Sequence, residues 1–197
     1  MKYVSIPLVA AALAACGVAP ANGDAGDAAG AGDARSNDAA IVADASTEDP
    51  SCETGGLEPD FAGEPLQGSG VDASGRLAPG SYVLSTTRIR SLATLAARQR
   101  FQALMGGIMP TLATAPGLVA VSFGGSQRCA TGRTLTVWRD EASMFAWVHT
   151  APHQEAINSV REVSRGGSRV THWNGDATQA TWPRAAEVLR DSRGPEY

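Results

Sequence analysis

Three histidines are the residues whose spacing first suggests chemistry. His149 and His153 stand four residues apart, which lets two imidazoles bind one metal ion from a single helix face, and His172 could supply a third ligand. Pro152 lies between the first two and breaks the helical register. Glu155 does not have the placement that an HExxH motif requires. The sequence therefore predicts no metal site.

His153 alone is the stronger candidate for chemistry, because it shares the apolar face of a predicted helix with Ile157 and Val160. An imidazole on such a face can act as a general acid or base. The alternative is a structural histidine that fills space and hydrogen-bonds a carbonyl. Trp138 and Trp147 could stack on a flat aromatic molecule, or they could be packing residues of the core.

The sequence contains no other catalytic motif. GxSxG and CxxC are absent, and no Gly-rich loop or dinucleotide fingerprint joins a strand to a helix. We therefore expect no flavin or nicotinamide, and no cofactor of another kind.

The elements that must position these residues follow from the hydrophobic pattern. Four segments have the length and residue content of strands: 82–90, 118–123, 133–138 and 168–173. A helix is predicted over 92–109, stopped or kinked by Pro110, and a second helix begins after Asp140 and bends at Pro152. Segment 182–190 is expected to be a short tail helix at best. This order predicts an α+β fold with the ferredoxin-like βαββαβ arrangement.

The segment VWRDEASMFAWVHTAPHQEAI resembles the strand-to-helix signature of the dimeric α/β-barrel superfamily, which includes the antibiotic-biosynthesis monooxygenases. An uncharacterised family within it pairs a VWES strand end with a His fifteen residues after the Trp, as Trp138 and His153 are here. Its members also end with a Trp-containing strand, a Pro-led helix and a Gly-Pro-Glu-aromatic tail. Trp173, Trp182–Pro183 and residues 194–197 are similar to that ending, so the resemblance covers 82–197.

The resemblance implies a homodimer in which two four-stranded sheets pack face to face as a barrel. It also implies a pocket in each protomer between the sheet and the helices, where Trp138 and Trp147 would form walls. The rest of the lining would be one of the two sheet faces together with Phe101, Met105, Met144, Val148, His153 and Ile157. Haem-degrading members place their iron-binding His ten residues after the second Trp; that position is Ile157 here, so haem binding in that mode is not expected.

Two classes of function follow, and the fold alone does not separate them. The first is a cofactor-independent, monooxygenase-like enzyme that acts on a small hydrophobic or aromatic molecule, with His153 as the proton-transfer residue. The second is a non-catalytic module of the cell envelope that binds such a molecule or only dimerises.

The N-terminus predicts export. Lys2 precedes an apolar run over 3–15, which is long enough for a signal peptide but short for a membrane span. Residues 13–16, Leu-Ala-Ala-Cys, resemble the lipobox of bacterial lipoproteins, which implies a signal peptide over 1–15 and acylation of Cys16; the alternative is an ordinary signal with a fortuitous Cys. Gly17, which is not Asp, favours the outer membrane in a Gram-negative host. The lipid anchor is then the expected membrane contact.

Charge divides the remaining chain. Residues 16–79 hold twelve acidic residues and two arginines among Ala, Gly, Ser and Pro, so we expect a disordered acidic linker before a domain over 80–197. The domain has thirteen arginines and eight acidic residues but no nucleic-acid motif, so no nucleic-acid partner is expected. Cys52 and Cys129 form an even pair in a compartment that permits disulfides; they could pair, or both could stay free.

Overall fold

The structure is a computed structural model that describes residues 49–53 and 55–197. The predicted signal peptide and the acylation site at Cys16 lie outside the described residues. Within the described part of the chain, no helix is long and apolar enough to cross a membrane.

The strands in the described part of the chain are β1 (Ala62–Gly63), β2 (Ser81–Arg90), β3 (Leu118–Ser126), β4 (Thr131–Trp138) and β5 (Arg169–Asp176). They form one antiparallel sheet in the order β1-β3-β4-β2-β5. The four long strands and the helices between them follow the ferredoxin-like βαββαβ order, so the predicted α+β fold class is confirmed.

The helices are α1 (Leu95–Ala113), α2 (Glu141–Val148), α3 (Ala151–Asn158), α4 (Val160–Val163) and α5 (Trp182–Asp191). Asp140 caps α2 by accepting a hydrogen bond from the Ser143 backbone nitrogen at 2.7 Å, as its residue type predicts. Helix α1 differs from the prediction because it continues through Pro110 to Ala113. The ring of Pro110 crowds the carbonyl group of the residue four positions earlier, which is Gly106. A glycine backbone can tilt most easily, so the helix continues.

The two faces of the sheet have different covers. Successive residues of a strand point to opposite faces, so Val83 of β2 and its neighbour Leu84 project to opposite sides. Val83 lies opposite Trp138 of β4, and Met144 of α2 packs on both in one core cluster. We call this side the helix face and the side of Leu84 the second face.

The chain's own residues bury the second face. Leu84, Ala120 and Val137 form its apolar centre. The side chains packed on this centre from the segment before β2 are Leu66, Val71 and Leu77. Helix α5 covers the β5 side, where Thr171 lines a depression together with Arg184 and Val188. The predicted tail helix is therefore a full element of the fold, with Ala185, Ala186 and Leu189 buried.

The expected linker boundary at residue 79 requires correction. Cys52 is joined to Cys129 in a disulfide, with 5.5 Å between their Cα atoms. β1 pairs with β3, and Gln67 and Val121 exchange backbone hydrogen bonds of 2.9 and 2.8 Å. The segment over 55–79 is thus part of the domain. Its composition alone predicts disorder, because it contains few apolar residues. The segment is ordered because it packs on a surface that residues far along the chain contribute.

The face-to-face barrel that the resemblance implies needs the second face to be free. Residues 55–79 and α5 occupy that face in the described chain. A homodimer through this face would therefore require residues 55–79 and α5 to undock from the sheet.

Candidate functional site

The break between α2 and α3 creates the local structure around His153. Helix α2 ends at Val148, and Pro152 stands in the first turn of α3, where a missing N–H costs no helical hydrogen bond. The carbonyl of Val148 accepts from the side chains of both His153, at 3.1 Å from Nδ1, and Gln154, at 2.9 Å. These contacts satisfy a carbonyl that the end of α2 leaves without a helical partner.

His153 is half-buried against an aromatic ring. Its ring centroid lies 4.3 Å from that of Trp147, with an angle of 59° between the planes. Burial lowers the pKa of His153 below its ordinary value of 6.5, and the hydrogen bond to the Val148 carbonyl only partly opposes this effect. The imidazole is therefore neutral near pH 7.

The protonated nitrogen of this neutral ring follows from its partner. A carbonyl oxygen can only accept a hydrogen bond, so Nδ1 of His153 carries the hydrogen and donates it to Val148. The lone pair then lies on Nε2, and no described residue forms a hydrogen bond with that atom. His153 thus has the tautomer of a proton acceptor.

The two tryptophans occupy different environments. Their ring centroids are 5.7 Å apart, but Trp138 is fully buried and donates from Nε1 to the Thr136 hydroxyl at 2.9 Å. Met144 is buried in the same cluster. The proposed lining role of Trp138 and Met144 is therefore not supported by their position, because core packing leaves neither of them surface for a bound molecule.

Trp147 and the remaining helix residues stay partly accessible. The helix residues that the sequence placed in the pocket and that retain partial exposure are Phe101, Met105, Trp147, Val148, His153 and Ile157. Nε1 of Trp147 is buried and has no hydrogen-bond partner among the described residues. An unpartnered buried donor is costly, so a molecule that entered beside this ring with an oxygen atom within reach of Nε1 would be favoured.

The site prediction included one face of the sheet without naming its residues, and that face contributes hydroxyl groups. Ser85 and Thr87 of β2 and Thr134 of β4 project from the helix face and remain partly exposed, although both strands are interior to the sheet. The helices therefore do not seal this part of the sheet. The signal for these residues was the alternation in YVLSTTRIR, which places Ser85 and Thr87 on one side.

The other two histidines form a separate group around Phe145. His149 is exposed and stacks on Phe145 with centroids 6.4 Å apart, whereas His172 meets the same ring edge-on at 5.5 Å. Nε2 of His172 lies 3.2 Å from a Glu141 carboxylate oxygen. No group of three metal-ligating side chains occurs among the described residues.

A buried charge cluster lies at one end of the second face, and sequence reasoning missed it. Glu58 lies between Arg133, at 3.0 Å, and Arg88, at 3.2 Å. Burial pushes the pKa of Glu58 upward, but the hydrogen bonds and charge of Arg133 outweigh this effect and hold it below its ordinary value. The charge imbalance between residues 16–79 and the domain was the available signal for these pairs.

Comparisons with known proteins identify no family for this chain. No family model matches it, and no curated protein matches it. Some solved structures do resemble parts of it.

Three of these structures illustrate the similarity. Rv0793 from Mycobacterium tuberculosis is 14% identical, with a TM-score of 0.41 over 47% of this chain and 92% of its own. LmHde, a heme-degrading enzyme from Listeria monocytogenes, is 15% identical, with a TM-score of 0.43 over 57% of this chain and 68% of its own. A variant of SnoaB, a cofactor-independent oxygenase from Streptomyces nogalater, is 16% identical, with a TM-score of 0.39 over 52% and 97%. The fold assignment rests on the strand order observed in this chain.

Proposed function

We propose that this domain binds a small hydrophobic or aromatic molecule between its helices and the helix face of the sheet. We further propose that it acts on this molecule as a cofactor-independent, monooxygenase-like enzyme in which His153 transfers a proton. The observation that carries the proposal is the neutral imidazole of His153, whose Nε2 lone pair has no partner among the described residues. A general base needs a lone pair and a pKa below the working pH.

The surroundings of His153 indicate the class of substrate. Phe101, Met105 and Ile157 offer apolar surface, and Trp147 offers an aromatic ring with an unpartnered N–H. The hydroxyl groups of Ser85, Thr87 and Thr134 project from the helix face of the sheet and are partly exposed. This combination suits a flat apolar molecule that carries a few oxygen atoms.

Such a substrate can supply its own electrons. Removal of a phenolic proton by His153 Nε2 would leave an electron-rich anion that can react directly with O₂. If a ring CH₂ becomes C=O, the four electrons released reduce O₂, with one oxygen atom retained and the other leaving as water. That reaction class, oxygenation without a cofactor, is the one named for SnoaB.

The experiment begins with native mass spectrometry of the purified domain, which identifies any co-purified molecule. Turnover of that molecule or of simple polycyclic phenols is then followed by O₂ consumption. His153→Ala is expected to lower turnover by about 10²- to 10⁴-fold, the usual contribution of a general base, while binding persists. His149→Ala is the matched control because His149 is an exposed histidine of the same helical region. Equal turnover in wild type and His153→Ala would remove His153 from the mechanism.

A non-catalytic binding module is the second candidate, and one observation favours it. Val148 accepts from both His153 and Gln154, so His153 already has a structural role at the helix break. This candidate predicts that the bound molecule is recovered unchanged in the presence of O₂. It also predicts that His153→Ala lowers stability without changing any reaction.

We also propose that the domain is tethered to the cell envelope through acylated Cys16 after removal of residues 1–15. The Cys52–Cys129 disulfide supports an exported location, because such bonds persist mainly in oxidising compartments. Metabolic labelling with a radioactive fatty acid should label wild type and not Cys16→Ala. Membrane fractionation of a Gram-negative host should place the labelled protein in the outer membrane. An unlabelled wild-type protein would exclude the anchor and leave the proposed activity untouched.

A further inference from the structure

We propose that residues 55–79, together with α5, take the place of a second subunit. They close the second face within one chain, so that the domain is a monomer. The proposal depends on the second face alone and is independent of any role of His153.

The first argument is the completeness of the burial. On the two central strands, Leu84 and Val137 of the second face are 0% exposed, and Thr86 and Leu135 are 1% exposed. These values are reached within one chain, although the helix face beside them leaves Ser85 and Thr87 partly open. These central positions of the second face therefore have no surface left for a partner sheet to bury.

The second argument is the edge of the sheet. Strand β3 would be an exposed edge without the preceding segment, and exposed edges promote pairing with other chains. Beyond the Gln67–Val121 exchange, Gly70 donates to the Val119 carbonyl at 3.0 Å and Ser122 donates to the Glu64 carbonyl at 2.5 Å. The segment thus supplies hydrogen-bond partners to the β3 edge and also buries the second face.

The third argument is charge. Glu58 lies between Arg88 and Arg133 on the second face, Glu53 contacts Arg90 at 2.7 Å, and Asp49 contacts Arg128. In a symmetric face-to-face dimer each protomer would present its own Arg88 and Arg133 to the other. The acidic segment complements the two arginines, whereas a second copy without that segment would oppose them with like charge.

The fourth argument is the covalent connection. Cys52, three residues before the segment, is bonded to Cys129, which lies between β3 and β4 of the same chain. A segment held in this way has a high effective concentration at its own domain. Intramolecular docking is therefore favoured over exchange between copies.

Light scattering combined with amide hydrogen exchange tests the proposal. The protein is secreted with Cys16→Ser, which removes the predicted acylation site and keeps the disulfide. We expect the mass of one chain across the micromolar range and slow exchange at the Gln67 and Val121 amides, whose hydrogen bonds cross to β3. A mass of two chains, or fast exchange at both amides, would overturn the proposal.

A pair of glycine variants tests the docking itself. A Cβ at Gly68 would lie 2.8 Å from the Ala120 Cα and would overlap the Val119 carbonyl oxygen, so Gly68→Val should undock the segment. Gly75 also has a positive φ, of +79°, but a Cβ there meets nothing within 4 Å, so Gly75→Val is the control for backbone strain alone. Exchange at Gln67 and Val121 should accelerate by about tenfold or more only in Gly68→Val. Equal exchange in the two variants would contradict the proposed docking.

Discussion

The Glu58 carboxylate is bound by the Arg133 guanidinium through two atoms, with Nε 3.0 Å from Oε2 and Nη2 3.0 Å from Oε1. Both side chains are 1% exposed. Arg88 lies on the same carboxylate, 3.2 Å from Oε1, and also donates to the Cys52 carbonyl at 2.9 Å. One carboxylate from the segment before the sheet therefore neutralises two buried cations of the sheet.

Removal of this carboxylate should destabilise the fold strongly. Glu58→Ala leaves Arg88 and Arg133 without their shared anion, and breaking a buried ion pair in this way costs about 3–5 kcal/mol. Urea unfolding should show this loss in the free energy of unfolding. Glu64→Gln is the control, because Glu64 is an exposed acid of the same segment and should change stability by less than about 0.5 kcal/mol. Similar losses in the two variants would show that the ion pairs contribute little.

Removal of the disulfide should also lower stability. The bond connects residues 77 positions apart, and the loss of such a constraint on the unfolded chain costs about 4 kcal/mol in the chain-entropy model. We expect the double variant Cys52→Ser, Cys129→Ser to unfold at lower urea concentration. Its urea dependence should be steeper, because the unfolded chain is more expanded. An unchanged midpoint would mean that the bond does not constrain the unfolded state.

The protonation of His153 should make stability depend on pH. Its pKa in the folded protein is lowered by burial, so between that value and about 6.5 the unfolded chain binds a proton that the folded chain does not. The stability that the neutral His153 contributes is complete above about pH 6.5 and is lost as the pH falls through this interval. Tm measured against pH should show the decline in wild type, and His153→Gln should reduce it. Turnover should fall over the same range, because the protonated ring has no lone pair.

The two tryptophans should respond differently to truncation. Trp138 is fully buried, so Trp138→Ala should lower the free energy of unfolding by about 3–5 kcal/mol. Trp147 is partly exposed beside His153, so Trp147→Ala should weaken binding of an aromatic ligand more than it lowers stability. Thermal melts and ligand titration on both variants separate the effects. If Trp138→Ala alone abolished binding without unfolding the domain, the assignment of the two residues would be reversed.

The sequence by itself determined the elements whose signals are local. Alternating residues predicted β2, β4 and β5, and a short apolar run predicted β3. Asp140 and Pro152 predicted where α2 begins and where the helix breaks. These signals depend on contacts within a few residues, so they can be recognised in the amino-acid sequence alone. The βαββαβ order followed from them.

Tertiary structure alone decided the role of residues 55–79 and which candidate site residues remain accessible. From the sequence, Leu66 and Glu58 are predicted to belong to an acidic linker. Their partners, among them Ala120 and Arg133, lie far along the chain, so no local pattern reveals these contacts. In the same way, Trp138 becomes core because α2 packs over it. Composition records what a segment contains, whereas burial depends on the surface that the rest of the fold presents to it.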